Sequence, residues 1–158
     1  MTSSAKDFFY LMVQPTVHEF ISEPCSLRRG LLAALVLNHM ADHVAQEGQP
    51  IADRSTMNNR VKAVNDKIRG ACPEAEIIKD IADVAKHAKL SFSKNQRSVS
   101  ELNNISGTPG LFNAPFGEGG FLEAVEIYVT LSTGSSKPLL PLVNAAYEAW
   151  NSYVEHNP

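Results

Sequence analysis

Two short runs carry the side chains best suited to chemistry: His39, Asp42 and His43 in NHMADH, and Lys79, Asp80, Asp83 and His87 in KDIADVAKH. On a helix, His39 and His43 stand one turn apart, a spacing at which both can reach one metal ion, and Asp83 and His87 repeat it. Two such pairs on packed neighbouring helices would supply the ligands of a divalent transition metal, Zn, Fe or Mn: His39, His43 or Asp42, Asp83 and His87. Asp80 would stand behind a histidine and fix its tautomer. Ligand type alone leaves hydrolytic and redox chemistry open, and the Glu-x-x-His pairs of di-iron bundles are absent. A structural reading of the same residues is preferred. Glu76, Asp80 and Asp83 are then the solvated edge of an amphipathic helix, and Lys86, His87 and Lys89 are a favourable last turn. His39 is then a core histidine bonded to Asp80, Asp83 or a backbone carbonyl.

The elements that must position these residues belong to a chain of 158 residues, about one domain at ~150 residues per domain. Apolar residues make up 44% and charged residues 20%, the balance of a folded chain rather than a disordered one. A net charge of −3 lacks the strong basic bias that non-specific phosphate binding needs, which disfavours nucleic acid without excluding RNA.

Residues 6–22 read as a helical hairpin or a kinked helix. Phe8, Phe9, Met12 and Val13 form one apolar face, and Val17, Phe20 and Ile21 continue it beyond Pro15. Residues 26–47 form the strongest helix, apolar nearly all round between Leu31 and Leu37, as in the buried centre of a bundle. Gly48 and Pro50 end it. Ser55 serves as the cap of a third helix with Met57, Val61, Val64 and Ile68 on one face, ended by Gly70. Pro73 opens a fourth, with Glu74 and Glu76 in its first turn and Ile77, Ile78, Ile81 and Val84 on its apolar face.

After Leu90 the composition turns to Ser, Asn, Gly and Pro. Residues 121–131 alternate as a strand, with 97–105 as its partner across a long Gly/Pro tip. Ser135 or Ser136 caps a last helix with Pro138 near its start and Leu139, Val143, Ala146, Tyr147 and Trp150 on its seam. The expected fold is mainly α: a single bundle of about five helices over residues 1–158. A two-stranded β-hairpin insert, residues 91–132, precedes the C-terminal helix.

On the helix over 26–47, Leu32, Leu35 and Val36 share the arc of His39. These three are expected to be nearly fully buried, with His39 one turn beyond them and Asp80 or Asp83 as its partner. On the fourth helix, Glu76, Asp80, Asp83 and His87 form one narrow stripe beside the apolar arc.

HMADH followed by ACPEAEIIKDIADVAKHAKL resembles a group of small uncharacterised bacterial and phage-associated helical proteins. The resemblance covers roughly residues 6–90 and, more loosely, the last helix. It implies a fold and no activity. More distantly, Lys79-Asp80 with His87 is similar to the Arg-polar pair and helical histidine of the HEPN helical-bundle ribonucleases. Lysine stands where that family has arginine, and the histidine follows at a longer spacing. The similarity implies metal-independent RNA cleavage by a dimer, with Lys79 stabilising the scissile phosphate and His87 as acid–base.

The GEGG of residues 117–120 lacks the lysine of a phosphate-binding loop, and no G-x-S-x-G elbow is present. Arg28-Arg29 is a small basic spot that more readily anchors an acidic neighbour than a phosphate. Phe112, Phe116 and Phe121 either cover the core or form a contact patch for a partner protein or a homodimer. No signal peptide and no bilayer-length apolar run are read, so no membrane role is expected. Two lone cysteines, Cys25 and Cys72, point to a reducing, bacterial-type cytoplasm. The leading expectation is therefore a cytoplasmic bundle that binds a partner or small ligand, with the metal site and the ribonuclease as alternatives.

Overall fold

The computed structural model describes residues 4–87, 90, 97–107 and 126–157. Helix α1 (Ala5–Phe8) begins at Ser4, whose hydroxyl accepts the Asp7 N–H at 3.0 Å while the Asp7 carboxylate accepts the Ser4 N–H. This is a capping box that satisfies two otherwise orphaned donors. The chain continues through a π-helical turn, Phe9–Val13, into α2 (Gln14–Ser22) without leaving helical conformation. Residues 5–22 are thus one rod, neither hairpin nor kinked pair.

Two features of the sequence favour the π turn. Ala5, Phe9, Val13 and Val17 are buried at every fourth position, and an ideal helix rotates each such step by about 40° from the last. The wider π spacing keeps them facing the core. Pro15 follows directly; it has no N–H to donate and would crowd the carbonyl of Leu11 in a regular helix. Met12 and Ile21, expected on the buried face, are exposed.

Helix α3 (Leu27–Gln46) is capped by Ser26, whose hydroxyl accepts the Arg29 N–H. It is the central helix and packs on the N-terminal rod and on the three longer helices that follow it. Its buried face is made of Gly30, Ala33, Ala34, Leu37, Met40, Ala41 and Ala45. The expectation for the leucines is corrected: Leu32 is 38% exposed, and Leu35 and Val36 are only half-buried. Gly30, Ala33, Ala34 and Ala41 let neighbouring helices approach the α3 axis closely, while Leu37 and Met40 fill the core and Leu32 and Leu35 lie on the opposite side. At Gly30 an added Cβ would lie 2.7 Å from Leu139 Cδ2 and 3.1 Å from Phe20 Cε2.

Helix α4 (Arg54–Ala71) is capped by Asp53 rather than Ser55, through the Thr56 N–H at 3.0 Å, and Gly70 lies inside it. Its Ile68 is buried, with Val61 and Val64 against the core. Helix α5 (Glu74–His87) buries Ile77, Ile78, Asp80, Ile81, Ala82 and Val84.

A 3-10 turn, Leu102–Asn104, leads into β1 (Ile105–Gly107), which pairs antiparallel with β2 (Ile127–Thr130). Ile105 faces Val129, and Ile127 and Val129 point inward. A third strand, β3 (Ser136–Pro138), pairs antiparallel with β2 on its other edge, giving the order β1-β2-β3. The serine expected to cap the last helix is in this strand, and Pro138 takes the cap position. The beginning of the expected strand at 121–125, the Gly/Pro tip, and Phe112, Phe116 and Phe121 lie outside the described residues.

Helix α6 (Leu139–His156) docks through Leu139, Leu142, Val143, Ala146, Tyr147, Trp150 and Val154. The architecture is mainly α: among the described residues, five helical rods with a small antiparallel sheet before the last one. Among the described residues no helix is long and apolar enough to cross a membrane.

Candidate functional site

Glu76 stays on the solvated edge of α5 and Asp83 is partly buried, but Asp80 is not on that edge. Asp80 is 2% exposed. Its Oδ2 accepts the Ser98 N–H at 2.7 Å and the Val99 N–H at 3.4 Å, and Oδ1 lies 3.5 Å from Arg97 Nη1. Asp83 Oδ2 accepts from Arg97 Nη1 at 3.1 Å and from Lys79 Nζ at 3.4 Å. Burial pushes the Asp80 carboxyl above the usual carboxylate range, against the amides of Ser98 and Val99 and the charge of Lys79, which pull it down. The segment it holds is tied onward: Ser98 C=O accepts the Ser132 N–H at 2.8 Å, and Ser100 C=O accepts the Leu90 N–H at 2.9 Å. Asp80 is therefore a clamp between α5 and the chain beside the sheet. Arg97 Nε is buried without a hydrogen-bond partner among the described residues.

The histidines lie elsewhere. The His39 side chain is 43% exposed, and its Nδ1 lies 3.3 Å from Asp42 Oδ2 on the same helix. The expected bond from His39 to Asp80 or Asp83 is absent, because both carboxylates are turned toward Arg97 and the Ser98 amide. His43 stacks on Phe8, ring centroids 3.8 Å apart and planes 12° from parallel. Burial lowers its pKa, the Asp42 charge opposes that, and His39 adds to it. His87 is exposed in the last turn of α5.

The four-ligand set is thus corrected on geometry. Among the described residues no group of three or more His, Cys, Asp or Glu side chains gathers closely enough to hold a metal. His39 and Asp42 pair with each other, His43 is engaged by Phe8, and Asp83 by two cations. In the Lys79-Asp80-His87 trio, Asp80 is committed to backbone amides and Lys79 to Asp83.

Sequence reasoning missed Arg97 and Ser98, which sit 17 and 18 residues beyond Asp80 in a stretch of loop composition. It also missed the surface of the π turn. Tyr10, Leu11 and Met12 are three consecutive large apolar residues on the outside of the rod, with Leu11 63% and Met12 49% exposed. The every-fourth-residue spacing of the buried positions was the signal that could have placed them there.

An open cavity of about 430 Å³ lies where the N-terminal rod, the end of α3 and the end of α6 meet, lined by Lys6, Val44, Glu47, Tyr153 and Asn157 among others. The Glu47 carboxylate there already accepts the Ala5 N–H at 3.2 Å. Compared with known proteins, the chain matches no family model, no curated protein and no solved structure.

Proposed function

We propose that the protein is a non-catalytic helical bundle that works by holding an apolar segment of a partner protein against the outer face of its π turn. The observation that carries this reading is the exposure of Tyr10, Leu11 and Met12 in a row on a rigid, capped rod. Bringing such a surface out of water on binding yields about 25 cal/mol per Å² of apolar area. The methionine adapts its shape to what it meets. π turns are frequent at functional positions. Asp80, Asp83 and His43 are, by contrast, engaged by Ser98, Arg97 and Phe8 in contacts that hold the bundle together. A reducing cytoplasm suits this role, with Cys25 and Cys72 both unpaired.

The test is photo-crosslinking from position 11 in cells that naturally contain the chain, with exposed Lys62 as the control position. The reading expects one discrete protein adduct from position 11 that is absent from position 62. The partner so identified, once purified, should bind the wild type and bind Leu11→Asp at least roughly tenfold more weakly, about 1.4 kcal/mol. Identical adducts from both positions, or undiminished binding by Leu11→Asp, overturn it.

A further inference from the structure

The outer stripe of α3 reads Arg28, Leu32, Leu35, His39 and Asp42. Its steps of four, three, four and three are the repeat of a two-stranded helical seam. No described element of the bundle packs over it. Arg28, Leu32 and Asp42 are exposed, and Leu35 and His39 are half-buried. A helix apolar over most of its circumference ordinarily has neighbours all round, yet α3 fully buries only the face that carries Gly30, Ala33, Leu37 and Met40. Arg28 makes no ion pair or hydrogen bond among the described residues, whereas its neighbour Arg29 is held by Glu23 at 2.7 Å.

We propose that this stripe is the interface of a homodimer, with two α3 helices packed antiparallel about a two-fold axis at Leu35. The charges argue for a second copy and for its direction. Arg28 and Asp42 each stand seven residues from Leu35, about 10.5 Å along the helix at 1.5 Å per residue. Antiparallel packing brings Arg28 of each copy level with Asp42 of the other, places Leu35 against its counterpart, and sets Leu32 beside His39. A parallel pair would stack Arg28 on Arg28 and Asp42 on Asp42, so repulsion disfavours that alternative. The surface is self-complementary, as a two-fold interface requires. It shares no residue with Tyr10, Leu11 and Met12, so dimerisation and partner binding respond to different variants.

Sedimentation equilibrium and light scattering of the full chain test the proposal. Across a wide concentration range the wild type should move between the 17.2 kDa chain and twice that mass, and added salt should favour the smaller species. Leu35→Glu should give the single-chain mass with unchanged helical circular dichroism. Arg28→Asp and Asp42→Arg should each raise the dimer Kd at least roughly tenfold. Together they should restore it, because the pair is re-formed with its sign reversed. The charge exchange keeps the test decisive even if Leu35→Glu unfolds. A wild type at single-chain mass throughout, a dimer indifferent to Leu35→Glu, or a double reversal no better than either single one overturns the proposal.

Discussion

Asp80 and Ser98 are joined across 18 residues of sequence by a 2.7 Å hydrogen bond from a backbone amide to a buried carboxylate. A charged acceptor makes this stronger than a neutral bond, and its position fixes where the chain leaving α5 meets the sheet.

Removing that carboxylate strands the Ser98 amide and leaves Arg97 with Asp83 alone. Asp80→Ala should lower unfolding free energy by about 1–3 kcal/mol, the range for an unsatisfied buried polar group. Asp80→Asn keeps an accepting oxygen and should lose less. Urea denaturation of the three proteins measures both, and an alanine variant as stable as wild type would show that Asp80 clamps nothing.

Acidity acts on the same residue. Burial raises the Asp80 carboxyl, so the folded chain takes up this proton more readily than the unfolded chain. The stability linked to it is fully present below the unfolded pKa and is lost as pH rises through the folded one. Against Asp80→Asn, wild type should therefore gain ground as pH falls from neutral into the carboxylate range. If wild type loses ground instead, the Ser98 and Val99 amides outweigh desolvation.

His43 has the opposite sign. Burial lowers its pKa, so the fold resists protonation there. Its contribution is present above the unfolded imidazole value and is lost as pH falls through the folded one. His43→Leu, still packed on Phe8, should flatten the stability–pH profile between neutral and mildly acid solution. An NMR titration of His43 in the folded protein at or above the free-imidazole value would refute the assignment.

Gly30 is where α3 meets Phe20 and Leu139 with no room for a side chain. Gly30→Val should cost about 1–3 kcal/mol by overpacking. Thermal melts beside Gly70→Val are the check, since nothing stands within 4 Å of a Cβ at Gly70. Equal losses at both sites would mean helix propensity, not packing, sets the effect.

The helices were largely legible because their signals are local. The helix expected over 26–47 is α3, Pro73 does precede α5, and Leu139, Val143, Ala146, Tyr147 and Trp150 do form the seam of α6. What failed depended on weighing like against like. Leu32 and Ala33 count equally as apolar, and only their sizes, measured against the closeness of neighbouring helices, decide which one faces inward. The His39–Asp80 pairing failed for a different reason. The true partners of Asp80 are Arg97 and two main-chain amides, and an amide has no sequence signature. Ser136–Pro138 read as a helix start because serine and proline favour one; pairing with β2 overrides that preference.

The π turn also governs how this chain can change length. The buried positions Ala5, Phe9, Val13, Val17 and Phe20 are spaced four, four, four and three. Deleting one residue between Phe9 and Val13 would make the spacing four, three, four, three, the regular rhythm of an α-helix, about 3.5 residues per step. The rod is thus an ordinary helix carrying one supernumerary residue, accommodated where Pro15 had already loosened the ladder. A protein lacking Leu11 and bearing Pro15→Ala should keep the same inner contacts on a straight helix. Whatever that inserted residue contributes, it contributes outward, to the surface.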